Sequence, residues 1–186
     1  MAFIGAKPTN VPLTSADLED SIITSAKIVD GTIATADISD GAVTSVKTTG
    51  VGGANTPNFS AVNSGSQTVS HDTNTKCTVT SEIYDSDSSY DASNSKFTVP
   101  SGQAGKYTII GSIDWDLQVN PNYIRIYKNG SEVIKAGWGS TGQSYIVATL
   151  DLAVNDYIEL YCYQASGGST GWGASDVYFS GYKIIE

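Results

Sequence analysis

Aliphatic residues recur every five positions across "ITSAKIVDGTIATADISDGAV" (23–43), at Ile23, Ile28, Ile33, Ile38 and Val43. That spacing matches neither the 3.6-residue period of a helix nor the two-residue period of a strand, so no single regular element can run through the stretch. The breaks are legible. Asp30-Gly31 and Asp40-Gly41 are favoured tight-turn pairs, because glycine accepts positive φ and aspartate can bond its own backbone. Each ten-residue unit is therefore expected to be two short extended pieces and a turn. The unit is nearly duplicated, and Val43 to Lys47 begins a third copy. Solenoids need about three stacked repeats with caps, and a unit this poor in large side chains cannot offset about 1–2 kcal/mol of backbone entropy per residue. The stretch must gain its core from elsewhere. The economical source is identical copies packed around a three-fold axis; the alternative is a solvated linker whose periodicity is coincidental.

Around this repeat the chain divides into four parts. Residues 1–20 read as an irregular anchor interrupted by Pro8 and Pro12, with one or two turns of helix in "TSADLEDSI" (14–22), where Thr14 can cap. Residues 21–47 form the decapeptide-repeat stalk. Residues 48–57 are a glycine-rich hinge without apolar periodicity. From 58 to 186 the chain reads as short strands between turn clusters, at 59–63, 67–70, 76–84, 96–99, 106–117, 123–128, 132–136, 144–152, 157–164 and 177–185. Alternation is clearest in "YIRIYK" (123–128), which an Asn129-Gly130 turn joins to a second alternating run. Regular short strands at this spacing indicate an all-β sandwich or barrel.

Charge narrows the partners. The net charge is −9, and both halves of the chain are acidic. With Arg125 the only arginine, no basic face can be assembled for nucleic acid or an anionic membrane. The N-terminus lacks a basic segment followed by an apolar one, and nothing approaches the ~18 apolar residues of a membrane span; secretion by a signal peptide is not expected. Cys77 and Cys162 are too few for a disulfide scaffold and stand in no metal-type pair. Both are expected to be reduced, buried strand residues, and the sequence does not decide whether they are neighbours.

Several stretches, in order, resemble the jelly-roll family that includes the globular head of complement component one, subcomponent q, and tumour necrosis factor. They are "YDASNSKFTVPSGQAGKYTI" (90–109), "IRIYKNGSEV" (124–133), "ATLDLAVNDYIELYCYQ" (148–164) and "VYFSGYKI" (177–184), preceded by Phe59 at the domain's start. The family signature falls on Tyr90, Asp91, Phe97, Pro100, Gly105, Tyr107, Lys128, Asn129, Gly130, Leu150, Leu152, Asp156, Phe179 and Gly181. The resemblance implies a ten-stranded jelly-roll β-sandwich that forms a tight homotrimer, with aromatic and aliphatic residues between subunits and loops at the apex. Where animal members of the family carry collagen, this chain has its anchor and repeat, a start that resembles the N-terminal regions of bacteriophage fibre proteins. That second resemblance implies a trimeric fibre made in the host bacterial cytoplasm and carried on the virion. Residues 1–20 would bind a tail or capsid protein, and the head would face a host-surface glycan or protein.

Candidate chemistry is sparse. Two glycine-rich loops carry Trp138 and Trp172, which with Tyr145 and Tyr163 could present flat faces for sugar rings; alternatively each tryptophan plugs the end of the sandwich or the trimer seam. Asp85, Asp87 and Asp91 share one loop and are a candidate Ca²⁺ site, but the EF-hand pattern fails and solvated turn residues are the favoured account. No other cofactor is expected. Asp114 and Asp116 flank Trp115 on one strand and share a face, a spacing that a glycosidase could use and that ordinary surface charge also explains. The lone histidine, His71, lies in a polar turn without a partner for nucleophilic catalysis. The expectation is a non-enzymatic virion fibre, on the tail or as a short fibre, that attaches to host surfaces. A capsid head fibre or decoration protein is the second reading and a polysaccharide depolymerase the third.

Overall fold

The computed structural model describes residue 14 and residues 23–43, 55–119, 121–137 and 141–184. The chain forms two compact units, Met1–Thr49 and Gly50–Glu186. The helix expected over 14–22 and the loop carrying Trp138 lie outside the described residues.

In the first unit the ten-residue sequence repeat is a conformational repeat. Ser25–Lys27 and Thr35–Asp37 are single turns of 3₁₀ helix. Each is followed by a tight turn closed by Thr32 N–H donating to Val29 O (3.1 Å) and Ala42 N–H donating to Ser39 O (2.9 Å). Gly31 and Gly41 sit in these turns at φ +78° and +76°, values that account for the two Asp-Gly pairs. The expected extended backbone is kept at the residues flanking each 3₁₀ turn, Thr24 and Ile28 at the first and Ala34 and Ile38 at the second, but it forms no strand among residues 23–43. Three-residue segments between turns close i→i+3 bonds locally more readily than they find a strand partner.

The second unit is almost entirely strand. In chain order these are β1 (Asn58–Val62), β2 (Gln67–Val69), β3 (Thr75–Lys76), β4 (Ser81–Asp85), β5 (Tyr90–Asp91), β6 (Lys96–Thr98), β7 (Gly105–Val119), β8 (Asn122–Lys128), β9 (Ser131–Ala136), β10 (Thr141–Leu152), β11 (Tyr157–Gln164), β12 (Thr170–Trp172) and β13 (Val177–Lys183). All ten expected segments occur; the one over 76–84 divides into β3 and β4, and β5 and β12 are additional. One antiparallel sheet runs β10-β7-β13-β1-β4 and the other β5-β6-β11-β8-β9, with β3 also on β11 and a small β12-β2 pair. This is a jelly-roll β-sandwich.

The inner faces meet on an aromatic cluster. Phe59 stacks on Tyr90 (5.0 Å between ring centres) and Phe97 (4.8 Å) and meets Phe179 edge-on (5.0 Å). Gly181 lies against this ring: a Cβ there would stand 2.8 Å from both Phe59 Cε1 and Ile109 Cδ1. The polar signature residues act as a staple. Asn129 and Gly130 turn β8 into β9 with φ +52° and +78°, as an Asn-Gly hairpin demands. Asn129 Oδ1 accepts from Tyr157 N–H (2.9 Å), Asn129 Nδ2 donates to Asp156 Oδ1 (2.7 Å), and Lys128 Nζ pairs with Asp156 Oδ2 (2.7 Å).

The Lys128 ammonium and the Asn129 amide hold the Asp156 carboxyl at about 2, below its unfolded value of about 3.9. A carboxylate depressed by folding stabilises the fold above the unfolded value and loses that contribution as pH falls through the folded one. Urea-unfolding midpoints are therefore expected to decline between about pH 4 and pH 2, and Asp156→Asn to be less stable than wild type at pH 7 with a shallower acid decline. An unchanged acid slope in that variant would remove the staple from the account.

Candidate functional site

Register places the outward side chains of the first sheet in rows. One row crosses the sheet as Tyr84, Ser60, Ser180, Ile110 and Val147, the next as Ser81, Val62, Tyr178, Ser112 and Tyr145, and a third as Asn58, Tyr182, Thr108 and Thr149. None of these positions carries a charge, in a chain of net charge −9. Tyr84 is 51% exposed, Tyr145 61%, Val147 68% and Tyr182 37%. A contiguous uncharged, tyrosine-bearing face of this kind has the composition of the core of a protein interface. Tyr145 thus stands on a sheet face and not on a loop.

The outward face of the second sheet differs in kind. It carries Tyr123, Arg125 and Tyr127 from β8, Tyr157, Glu159, Tyr161 and Tyr163 from β11, and Lys76, Lys96 and Lys135 from their neighbours. Rings and charges interlock there. Tyr127 stacks on Tyr161 at 4.0 Å, Lys76 pairs with Glu159 (2.5 Å), and Lys96 lies 5.1 Å from the centre of the Tyr157 ring. Such a face is solvated and held by cross-strand pairs.

Both sheets end on the same side of the sandwich, away from Asn58. Asn122, which opens β8, accepts through Oδ1 from Ser144 Oγ (2.7 Å), and Ser144 in turn accepts from Trp115 Nε1 (3.1 Å). At the other end Lys128 Nζ donates to Asp151 O (3.1 Å), near where Lys183 N–H donates to Pro57 O (3.1 Å). Pro121, Gly137 and the loop at 165–169 therefore belong to the end distal to the domain's start.

The tryptophan expectation is corrected at that end. Trp172 is 0% exposed and meets Trp115 edge-on at 5.4 Å, so it closes the core and offers no face to a sugar. Its strand, β12, pairs with β2 and seals the sandwich. Asn63 fixes the adjoining loops, donating to Gly65 O (2.6 Å) and Gly173 O (2.5 Å) and accepting from Val177 N–H (2.8 Å). Tyr163 donates to Asp72 Oδ1 (2.5 Å) and lies on the second sheet beside Tyr123.

The acidic loop is bound up with itself. Asp85 accepts from Asp87 N–H (3.3 Å), Ser89 Oγ (3.1 Å) and Tyr90 N–H (2.7 Å). The Ser93 hydroxyl and the Asn94 amide hold the Asp91 carboxyl at about 2. Among the described residues no three acids, histidines or cysteines converge as a metal ion requires, so Asp85, Asp87 and Asp91 do not assemble a Ca²⁺ site. Asp114 and Asp116 are both exposed, but the β7–β10 register slips beyond Asp114, where Gln143 pairs with Asp114 and Thr141 with Val119. Asp114 instead joins Gln143, Tyr145 and Asp176 around a polar groove of about 210 Å³. His71 is exposed and accepts from Gly167 N–H through Nδ1 (3.0 Å). Cys77 and Cys162 are buried free thiols; Cys162 Sγ donates to Thr75 O (3.4 Å), and burial first, then the neighbouring Cys162 thiol, raises the Cys77 pKa.

No known family and no curated protein matches the chain in sequence. Among solved structures, PRD1 vertex protein P5 is similar over 71% of this chain and 99% of its own, with a TM-score of 0.56 at 14% identity. Murine APRIL is similar over 68% and 98%, with a TM-score of 0.54 at 10% identity. The globular domain of zebrafish complement 1qA protein aligns over 69% and 97% with a TM-score of 0.48 at 15% identity. At these identities the likeness to the first two is one of fold.

The burial of Trp172 yields a direct test. Trp172→Ala is expected to cost about 3–5 kcal/mol of stability, as large core truncations do, measured as a lowered denaturation midpoint. Unchanged stability would return Trp172 to the surface.

Proposed function

We propose that the chain is a non-enzymatic virion fibre protein: a homotrimer whose jelly-roll head is displayed for attachment to a host surface. The observation that carries this reading is the uncharged central patch of the outward face of the β10-β7-β13-β1-β4 sheet, the three rows bounded by Lys106 and Asp151 towards one end and by Asp114 towards the other. A face with Tyr145 and Val147 more than half exposed is a poor solvent surface and a good partner for two further copies of itself. Closed rotational symmetry lets the same patch serve every subunit. Residues 23–43 support the same assembly, since their ordered repeat leaves every described residue exposed. Residues 1–20 would then hold the fibre to a virion protein, and three weak distal sites on one axis would raise avidity without catalysis.

A second reading places the fibre on the capsid and not on the tail, with a role in adhesion or shell stability. It is favoured by one observation, the similarity of fold to a protein described as a vertex protein.

Light scattering on the full-length chain tests the assembly. The wild type is expected at three chain masses. Val147→Asp, which introduces a carboxylate at the centre of the uncharged face in every subunit, is expected at one, with an unchanged circular dichroism spectrum. A trimer that survives the substitution moves the interface off this face, and a monomeric wild type sinks the fibre reading.

A further inference from the structure

The first sheet's outward face serves assembly in the reading above, and the second sheet's stays open. Its distal end gathers an unusual set of groups. Tyr123 and Tyr163 are cross-strand neighbours with ring centres 5.7 Å apart, inclined by 46°. The Arg125 guanidinium lies 5.4 Å from the first ring centre and 5.1 Å from the second, and Lys135 lies 5.4 Å from that of Tyr123. Arg125 Nη1 donates to Glu132 Oε2 (2.8 Å), and Asp72 takes the Tyr163 hydroxyl.

We propose that this patch binds an uncharged glycan, and that it is the contact through which the head attaches. The inference rests on the attachment reading and names its site and ligand class. Three physical points carry it. First, the rings are fixed before any ligand arrives. Arg125, its side chain only 12% exposed, spans both tyrosines from a strand position, so little side-chain freedom is lost on binding. Second, donors and acceptors are mixed. Lys135 and Arg125 donate while Glu132 and Asp72 accept, the complement that a hydroxyl needs because it does both, and the rings add apolar area for the C–H face of a sugar. Third, the charges cancel. Two cations stand with two carboxylates on a chain of net charge −9, leaving no surplus positive potential to draw an anionic polymer.

The experiment uses full-length protein on immobilised neutral polysaccharides (dextran, mannan, galactan) and acidic ones (alginate, polygalacturonate), at low and high salt. The wild type is expected on at least one neutral polymer, equally at both salt concentrations. Tyr123→Ala combined with Tyr163→Ala is expected to lose at least tenfold in binding with its molar mass unchanged. Should that pair disturb folding, Lys135→Ala, at an exposed position, is expected to lose severalfold. Wild-type binding that persists in these variants overturns the site and leaves the attachment reading standing. Salt-sensitive binding to acidic polymers alone overturns the ligand class. Capture by no polymer overturns this inference and leaves the attachment reading to a host-surface protein.

Discussion

The sandwich depends on the contact between the Phe59 ring and the bare backbone of Gly181. Phe59 belongs to the first sheet and stacks on Tyr90 and Phe97 of the second, so this ring sets the distance at which the sheets meet. The ring fits only because β13 offers no side chain where it passes: a Cβ at Gly181 would lie 2.8 Å from the ring edge. Tyr107 joins the cluster through Phe97 at 5.6 Å and ties its hydroxyl to Gln103 O (2.6 Å). Four of the signature aromatics thus form one packed unit, and their order along the chain reflects which sheet each strand must enter. Interiors at crystal-like density tolerate neither a methyl added to nor a ring removed from such a cluster.

With the inner faces committed to that core, each strand's alternate residues are free to answer to what lies outside. The two sheets answer differently. β7, β10 and β13 present Ile110, Val147, Tyr145 and Tyr182, whereas β8 and β11 present tyrosines interleaved with Arg125 and Glu159. The strand period of two makes this division possible, because the outward residues can change without touching Phe59. An uncharged central patch on one face and a charge-laced face on the other suit the proposed assembly on the first side and the proposed ligand contact on the second.

Most of the fold was legible in the sequence because its signals are local. Alternation over 123–128 and the Asn129-Gly130 turn identify a hairpin without knowledge of its neighbours. Trp172 was harder to read, for a physical reason. "GSTGWGAS" carries the glycine content of a loop, yet β12 is a three-residue strand whose glycine permits close approach: a Cβ at Gly171 would stand 1.9 Å from Gln67 O. A glycine placed for strand contact and one placed for a turn look alike in one sequence. The repeat was read correctly in period and in part in conformation: the Asp-Gly turns fix the ten-residue step, the residues flanking each 3₁₀ turn are extended as expected, and the 3₁₀ turn itself was not foreseen. In the second turn Ala34 N–H donates to Asp37 Oδ2 (2.8 Å), a cap whose only sequence signal is an acid three residues on. The pairing of Tyr123 with Tyr163 had no local signal at all, because it depends on which strands are neighbours.

The repeat also raises an energetic demand that the head does not share. Residues 23–43 hold their shape with six backbone hydrogen bonds inside 3₁₀ and tight turns, each worth about 1 kcal/mol net. Local bonds of that kind do not by themselves offset the entropy lost in ordering the segment, and Ile23, Ile28, Val29, Ile33, Ile38 and Val43 add no burial, being all between 42% and 72% exposed. A regular conformation with no buried side chain is a surface waiting for burial, and the partner must repeat at the same ten-residue step to meet every aliphatic residue. Further copies of the same chain have that step by construction. The order of the repeat and the uncharged patch of the head are thus two independent observations in favour of the proposed self-association, one from backbone entropy and one from the local absence of charge.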